Sequence, residues 1–233
     1  MIRRPAHRGA VVLLSGGMDS ATALAIALRE TRPVHALTFL YGQRHRREVR
    51  SARALARHYA VAAHEVVRLP VAGLLPSALT DPRRQLPAGR EGRTTIPATY
   101  VPARNTVLLS LALGYAESRG LDRIYLGANA IDYSGYPDCR PEYFRAFERL
   151  AALATREGVE QGWRPRVVTP LLRKSKGDIV RLGERLKVPW GLTWACYAGG
   201  ARPCGRCDAC RLRAKGFADA GVADPLTSAR PVR

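Results

Sequence analysis

A short run of glycine and hydroxyl residues directly after an apolar segment is the part of this sequence best suited to bind an anion. Residues 11–14 read Val-Val-Leu-Leu, and residues 15–20 continue as Ser-Gly-Gly-Met-Asp-Ser. Two glycines permit a tight turn and a close approach of the backbone to a ligand. The N–H groups of the turn, and those at the start of a helix predicted over residues 20–29, then point at one spot and favour a phosphate. Asp19 does not suit an anion site, so we interpret it as a helix N-terminal charge or a ligand of Mg²⁺.

The spacing of this loop separates it from two common nucleotide-binding motifs. It lacks the Gly-x-x-x-x-Gly-Lys-Ser of a Walker A loop and the Gly-x-Gly-x-x-Gly of a dinucleotide-binding fold. It resembles instead the loop of the ATP pyrophosphatase (PP-loop) enzymes, which hold the pyrophosphate of ATP while the α-phosphate is attacked. The resemblance implies ATP with Mg²⁺ as a co-substrate. The residues expected to contact ATP are Leu14, Ser15, Gly16, Gly17, Met18, Asp19 and Ser20 of the loop, Phe39 and Tyr41 near the end of the second predicted strand, and Lys176.

Four of the five cysteines lie close together near the C-terminus, with spacing typical of a metal site. They are Cys196, Cys204, Cys207 and Cys210, and the last three form two overlapping Cys-x-x-Cys units. Four thiolates suit one tetrahedral Zn²⁺, and a full shell leaves no position for a water, so the site is predicted to be structural. An iron–sulfur cluster takes the same number of ligands, and free thiols are the third alternative. The fifth, Cys139, is either a buried inert thiol or a thiol that contacts a ligand.

The hydrophobic pattern predicts strands and helices in alternation. Strands are predicted over 11–14, 34–40, 63–69, 123–127 and from 167, and helices over 20–29, 44–59, 104–119, 142–156 and 175–186. This order predicts an α/β, Rossmann-like (PP-loop) fold, a parallel sheet with helices on both faces. We assign residues 1–190 to the nucleotide- and substrate-binding domain and 191–233 to a small zinc-binding region. The proline-rich segment 70–99 is either a lid over the nucleotide site or a plain surface loop.

Composition places limits on the partners of the chain. No run of about 18 apolar residues occurs, and the N-terminal apolar run is too short for a signal peptide, so we expect a cytoplasmic protein without a membrane span. The net charge is +19, from 34 Arg and 4 Lys against 19 acidic residues. Because the arginines are spread along the chain, the interpretation we favour is a solvated basic surface. A basic funnel for ATP and an acidic substrate ranks second, and a nucleic-acid site ranks third.

Several strings in one order connect the whole chain to a single family. They are Ser15–Ser20, Tyr100–Asn105, Gly127–Asn129, Asp132–Arg140, Ser175-Lys176 with Ile179, and the four clustered cysteines. With them the chain resembles the 7-cyano-7-deazaguanine synthase family of queuosine precursor synthesis. The resemblance implies a homodimer in which ATP activates the carboxylate of 7-carboxy-7-deazaguanine. Ammonia then forms an amide, and a second activation dehydrates the amide to a nitrile.

The resemblance also implies roles for single residues. Asp19, Lys176 and Arg104 are the expected catalytic residues, with Lys176 facing phosphate and Arg104 gripping either phosphate or the substrate carboxylate. A guanine-like edge has two adjacent N–H donors, which suit a carboxylate, whereas an aromatic ring can stack on the base. The residues expected to contact substrate are Arg104, Asn129, Asp132, Tyr133, Tyr136, Asp138, Arg140 and Glu142. For each carboxylate among them the alternative is an ordinary turn or helix cap.

Three rival functions remain open at this point. A relative of the family could use the activated carboxylate to modify a protein N-terminus, and it would keep every motif above. A tRNA-modifying PP-loop enzyme would use the basic surface, but we expect such an enzyme to carry an added RNA-binding domain or a catalytic cysteine pair. A non-enzymatic zinc module would have no use for the loop at residues 15–20.

Overall fold

The described strands of the protein form one parallel sheet. The computed structural model describes residues 9–43, 47–71, 73–81, 83–85, 96–130 and 135–227. The sheet order is β3-β2-β1-β4-β5. The strands are β1 (Ala10–Leu13), β2 (Val34–Leu40), β3 (Ala63–Arg68), β4 (Arg123–Tyr125) and β5 (Arg166–Val168). All four pairings are parallel, so the sheet predicted from the strand–helix alternation is confirmed.

The first strand occupies the centre of the sheet. Every residue of β1 is buried, and its apolar run is typical of a parallel strand covered on both faces. Ala10 lies opposite Val34 on one side and Arg123 on the other. The chain winds from β1 to β3 in one direction and continues from β4 to β5 in the other. The carboxyl end of β1 is therefore the point where the winding reverses, and crevices at such points bind ligands in open α/β sheets.

Helices cover both faces of this sheet. They are α1 (Met18–Glu30), α2 (Arg47–His58), α3 (Arg104–Ser118), α4 (Pro141–Ala154), α5 (Arg156–Gln161), α6 (Lys176–Arg185) and α7 (Asp208–Ala220). One core joins Leu24 of α1, Leu55 of α2 and Ile179 of α6, and the other joins Leu109 of α3 and Phe147 of α4. The two-sided covering expected for this fold class is thus present. Within the described ranges, no helix has the length and apolar character needed to cross a membrane.

Three boundaries differ from the sequence prediction for identifiable reasons. Helix α1 begins at Met18 rather than Ser20, because Gly17 holds the extended conformation of an N-cap. The helix predicted over 142–156 is two helices, since Thr155 is extended and its side chain accepts a hydrogen bond from Gly158 N at 3.2 Å. Strand β4 ends before Gly127, where a Cβ atom would lie 2.9 Å from Ser20 N. The chain after β4 therefore passes directly against the loop of residues 15–20.

The C-terminal region packs closely onto the main sheet. Helix α7 lies against α6, and a Cβ at Gly216 would come within 2.8 Å of Lys176 Cβ. Arg213 of α7 forms a buried ion pair with Asp224, with Nε–Oδ2 at 2.7 Å. The same guanidinium donates to Thr193 Oγ1 at 2.7 Å, just after the 3₁₀ turn Trp190–Leu192. The cysteine-bearing segment is therefore fastened to the domain that holds the loop.

Candidate active site

A cleft of about 300 Å³ opens at the carboxyl ends of β1 and β2. Its floor is formed by Leu13, which ends β1, by Leu14, which follows it, and by Phe39 near the end of β2. Helix α3 contributes Arg104, and the C-terminal region contributes Trp194. The cleft lies at the reversal of winding described above, where a parallel sheet is expected to bind its ligand.

The loop between β1 and α1 is held in one shape by its own hydroxyl groups. Ser15 Oγ and Ser20 Oγ are 3.0 Å apart, and Ser20 Oγ donates to Gly17 O at 3.1 Å. Gly16 has a φ of +88°, and a Cβ there would overlap the carbonyl oxygen of Glu48 and lie 2.8 Å from Ala52 N. A glycine is therefore required at position 16, because it alone permits both the backbone conformation and the contact with α2.

Asp19 and Lys176 form an ion pair at the mouth of this loop. Lys176 Nζ lies 2.6 Å from Asp19 Oδ2, and Asn129 Nδ2 donates to the same oxygen at 3.3 Å. The other oxygen, Asp19 Oδ1, is buried and has no hydrogen-bond partner among the described residues. A buried carboxylate oxygen without a hydrogen-bond partner lowers the free energy of unfolding. Its position on an oxygen-rich loop fits a ligand of Mg²⁺, which prefers carboxylate oxygens.

Arg104 supplies a half-buried positive charge on the opposite wall. Burial acts to lower the pKa of Arg104, but Tyr41, Cys139, Tyr136 and Asp138 outweigh it and raise the pKa above its usual value. The guanidinium therefore remains cationic. Asp138 Oδ2 accepts a hydrogen bond from Asn105 N at 2.9 Å and so caps the first turn of α3. This wall can bind the carboxylate of a substrate by a charge-assisted contact.

An aromatic pair stands beside Arg104. Tyr136 lines the cleft, and its ring stacks on Tyr100 with centroids 5.9 Å apart and an interplanar angle of 22°. The Tyr136 hydroxyl lies 3.0 Å from Thr99 Oγ1. Cys139 also lines the cleft, and its sulfur accepts a hydrogen bond from Asn105 Nδ2 at 3.1 Å. The pair offers a flat apolar wall of the kind that suits a planar base.

Glu48 is a cleft residue that the sequence analysis missed. It lies in the first turn of α2 and lines the cleft between the loop and Arg104. Burial raises the pKa of Glu48 to about 7, although Arg104 acts to lower it. In the sequence Glu48 follows a run of basic residues, a pattern that predicts a solvated carboxylate on a helix. In the structure its carbonyl oxygen lies against Gly16, so the first turn of α2 stands beside the loop of residues 15–20.

The four clustered cysteines are arranged to hold one metal ion. Their sulfur atoms all lie within 4.8 Å of one another, and Cys204 Sγ is 3.9 Å from Cys210 Sγ. Tetrahedral Zn–S bonds require a sulfur separation of about 3.8 Å. Burial acts to raise the pKa of Cys204, but N–H donors from Cys207 and Arg206 outweigh it and lower the pKa to about 6. Burial raises the pKa of Cys207 and of Cys210, so the sulfur geometry is the observation that supports a metal site.

A family model covers both the loop and the cysteine cluster. The model described as "Queuosine biosynthesis protein QueC" matches residues 9–221. The chain belongs to the QueC family. The resemblance inferred from the motifs is confirmed by this match.

Relatives in the QueC family are similar to this chain over almost all of their length. A protein of Anaeromyxobacter sp. (strain Fw109-5) is 55% identical over 97% of each chain. One of Thermoplasma volcanium is 51% identical over 93% of this chain and 89% of its own. Both are named 7-cyano-7-deazaguanine synthase. Among solved structures, NMN synthetase from Francisella tularensis matches with a TM-score of 0.51 and 20% identity, over 94% of this chain and 74% of its own, which shows a shared fold.

In this QueC family member, most predicted ATP-contacting residues meet at the cleft. They are Leu14, Ser15, Gly17, Met18, Asp19, Ser20, Phe39, Tyr41 and Lys176. Gly16 lies just behind the lining. Gln43 bridges Phe39 and Tyr41: its Nε2 donates to Phe39 O and its Oε1 accepts from Tyr41 N, each at 2.8 Å. Phe39 and Tyr41 are the two residues near the end of β2 that we expected to contact ATP.

The predicted substrate residues are only partly brought together. Arg104 and Tyr136 line the cleft. Asn129 lies outside the lining and donates a hydrogen bond to Asp19, which lines it. Asp138 is buried behind the lining, whereas Arg140 and Glu142 are exposed and outside it. Asp132 and Tyr133 lie outside the described residues. The carboxylate that reads the base therefore stays a prediction.

Proposed function

We propose that this protein is an ATP-dependent ligase that converts 7-carboxy-7-deazaguanine and ammonia into 7-cyano-7-deazaguanine, a precursor of queuosine. The observation that carries the proposal is identity of 50–57% to proteins named 7-cyano-7-deazaguanine synthase, over nearly the full chain. None of the relatives reported above is named as an enzyme that modifies a protein N-terminus or a tRNA. The cleft supports the proposal because it joins a loop suited to anions to a half-buried cation, Arg104, and an aromatic wall.

The phosphates of ATP bind at the loop of residues 15–20 in this proposal. The N–H groups at the start of α1 face the pyrophosphate, and the helix dipole favours its charge. Asp19 would hold Mg²⁺ through its free Oδ1, and the ion would neutralise charge on the leaving pyrophosphate. Lys176 lies beside Asp19 and turns from it to the phosphates once they are bound. Leu79 of the 70–99 segment lines the cleft, which supports a covering role for that segment.

The carboxylate of 7-carboxy-7-deazaguanine binds to Arg104. The guanidinium pairs with the negative carboxylate and orients one of its oxygens towards the α-phosphate of ATP. That oxygen attacks the α-phosphorus, so the acyl adenylate forms and pyrophosphate leaves. Tyr136, stacked on Tyr100, provides a face for the planar base. Adenylation matters because a carboxylate is a poor electrophile, and AMP supplies a leaving group. Ammonia then displaces AMP, and the amide passes through a second activation to the nitrile.

Zn²⁺ is the metal we propose for the four cysteines. The sulfur spacing suits a tetrahedral shell that is closed to water, so the ion holds the fold together and takes no part in the reaction. We further propose a homodimer acting in the cytoplasm, as the family resemblance implies. We also propose that the +19 charge is a solvated surface and does not mark a nucleic-acid partner.

A product assay tests the proposal. Purified protein is incubated with ATP, Mg²⁺, ammonium and 7-carboxy-7-deazaguanine, and the products are read by mass spectrometry. We expect the nitrile, with the amide as a transient species, and AMP with pyrophosphate as nucleotide products. Protein with a full complement of metal that consumed ATP but released neither amide nor nitrile would overturn the proposed acceptor. Protein that left both ATP and the deazaguanine unchanged would overturn the proposed substrate.

A further inference from the structure

Among the described residues that line the cleft, Glu48 is the acidic residue to which the proposed function assigns no role. Its backbone carbonyl packs against Gly16 of the phosphate loop, and its side chain lines the same cleft as Arg104. It therefore lies between the site proposed for the ATP phosphates and the site proposed for the substrate carboxylate. The bond to be formed and broken in the reaction lies between those two sites as well.

The surroundings of Glu48 leave its carboxylate available. Arg104 of α3 and Tyr41 after β2 are the ionisable groups that act on it from neighbouring elements. Arg47, on the same helix, stacks on Trp194 and donates to Ala201 O instead. No residue in the described ranges donates a hydrogen bond to the Glu48 carboxylate. A carboxylate that lines the cleft without such a partner is available to accept a proton from a ligand bound there.

The proposed reaction requires a proton acceptor at this place. The nitrogen of a nitrile carries no hydrogen, so all three protons of ammonia must leave during one turnover. Lys176 and Arg104 are cations and cannot accept them. Asp19 Oδ2 is bonded to Lys176 and Asn129. Burial raises the pKa of Tyr41, which makes it a phenol at neutral pH. A glutamate whose pKa lies near the working pH suits general base catalysis.

We propose that Glu48 is the general base that removes the protons of the nitrogen nucleophile. This role rests on the proposed function. In the first half-reaction, ammonia attacks the acyl carbon, the C–N bond forms, and AMP leaves with the electron pair of the broken C–O bond. One N–H proton passes to the Glu48 carboxylate, which leaves a neutral amide, and Glu48 returns the proton to water.

The same carboxylate serves the second half-reaction. The amide oxygen attacks the α-phosphorus of a second ATP, pyrophosphate leaves, and an N–H proton passes to Glu48. After Glu48 has released that proton to water, the C–O bond breaks and AMP leaves with its electron pair. The last N–H proton passes to Glu48 as the third C–N bond forms. Three protons are thus removed per nitrile, and every step is balanced without a further reactant.

Separate assays of adenylation and nitrogen transfer test this role. Exchange of labelled pyrophosphate into ATP, measured with 7-carboxy-7-deazaguanine and without ammonia, reports adenylation of the carboxylate, a step that moves no proton to Glu48. Mass spectrometry reports amide and nitrile. For Glu48→Gln we expect exchange close to wild type and nitrile formation slower by about 10²–10⁴-fold. We also expect formate to restore part of the rate of Glu48→Ala, because formate fits the space and supplies a carboxylate. Glu160→Gln on exposed α5 is the matched control and should behave as wild type.

The outcomes separate this proposal from the proposed function. If wild type formed the nitrile and Glu48→Gln did so at the same rate, the base would be another group. If Glu48→Gln lost exchange and nitrile formation equally, and formate rescued neither in Glu48→Ala, Glu48 would be structural. If wild type showed exchange with neither amide nor nitrile, the proposed function would be wrong and the role of Glu48 with it.

Discussion

Trp194 donates its backbone N–H to the carbonyl oxygen of Gly16 at 2.8 Å. Trp194 lies two residues before the first cysteine of the cluster, and Gly16 is the residue of the phosphate loop that demands a positive φ. The cysteine region thus reaches the loop by a direct hydrogen bond. It also forms one wall of the cleft through Ala195, Tyr197, Ala209, Leu212 and Arg213. The proposed metal site and the proposed nucleotide site are therefore joined by direct contacts.

Removing one cysteine of the cluster should weaken ATP binding. For Cys207→Ser we expect loss of the metal and a rise in the Kd for ATP of about 5–150-fold, the usual range for coupling between two sites. The physical reason is that the wall of the cleft and the bond to Gly16 both depend on an ordered C-terminal region. Metal content and calorimetric ATP binding measure the two effects. Cys139→Ser, outside the cluster, should keep its metal. Unchanged ATP affinity in metal-free Cys207→Ser would refute the coupling.

Arg104 should act on the deazaguanine more than on ATP. Arg104→Lys keeps the charge but loses the two-pronged geometry, so we expect KM for 7-carboxy-7-deazaguanine to rise by about 10–100-fold. The KM for ATP should change little, since the loop and Lys176 bind the phosphates. Steady-state kinetics with each substrate varied in turn make the comparison. An equal rise in both KM values would instead assign Arg104 to the phosphates, the alternative that the sequence leaves open.

The buried pair of Arg213 and Asp224 should be essential for stability. Their side chains are only 4% and 5% exposed, so removal of one charge leaves the other buried without its partner. We expect Asp224→Asn to lower the free energy of unfolding by about 3–5 kcal/mol. Asp219→Asn is the control, because Asp219 forms a surface pair with Lys215, and it should cost no more than about 1 kcal/mol. Urea denaturation of both variants gives the two values, and equal losses would contradict this account.

Local patterns were sufficient to predict the sheet, the position of the loop of residues 15–20 between β1 and α1, and the cysteine cluster. Each of these is indicated by residues that lie close together in the chain. Both ends of β2 were predicted correctly, because its apolar run has a clear limit on each side. The break at Thr155 was missed, although a threonine three residues before Gly158 is a readable helix cap. The apolar periodicity before the break outweighed that signal in the prediction.

Contacts over long separations were beyond local patterns. Lys176 meets Asp19 across 157 positions, and only the family resemblance pointed to Lys176. Asp138 is one of the carboxylates predicted to read the base, and the bond that one of its oxygens accepts from the N–H of Asn105 is a contact that no local pattern predicts. Glu48 was missed because its place in the cleft depends on α3 and the loop together. Such sites are set by tertiary packing, which sequence periodicity does not encode.

The stability of the protein should carry a pH dependence that belongs to Glu48. The pKa of Glu48 is about 7 in the folded protein and 4.5 in an unfolded chain. Between these values the folded state holds a proton that the unfolded state releases. The contribution to stability is therefore complete below pH 4.5 and is lost as pH rises through 7. The loss amounts to about 3 kcal/mol for a shift of this size.

Replacing Glu48 isolates this contribution. Glu48→Gln cannot ionise, so its free energy of unfolding should not fall over this range on account of position 48. The difference between variant and wild type should grow in favour of the variant from about pH 4.5 and level off just above pH 7. Urea denaturation at a series of pH values measures it, and all other titrating groups cancel because they are common to both proteins. If the free energies of unfolding of the two proteins ran parallel across this pH range, the Glu48 carboxylate would titrate as it does in water. A Glu48→Gln variant that is more stable but slower would mean that the protein keeps a carboxylate that lowers its stability because the reaction needs it.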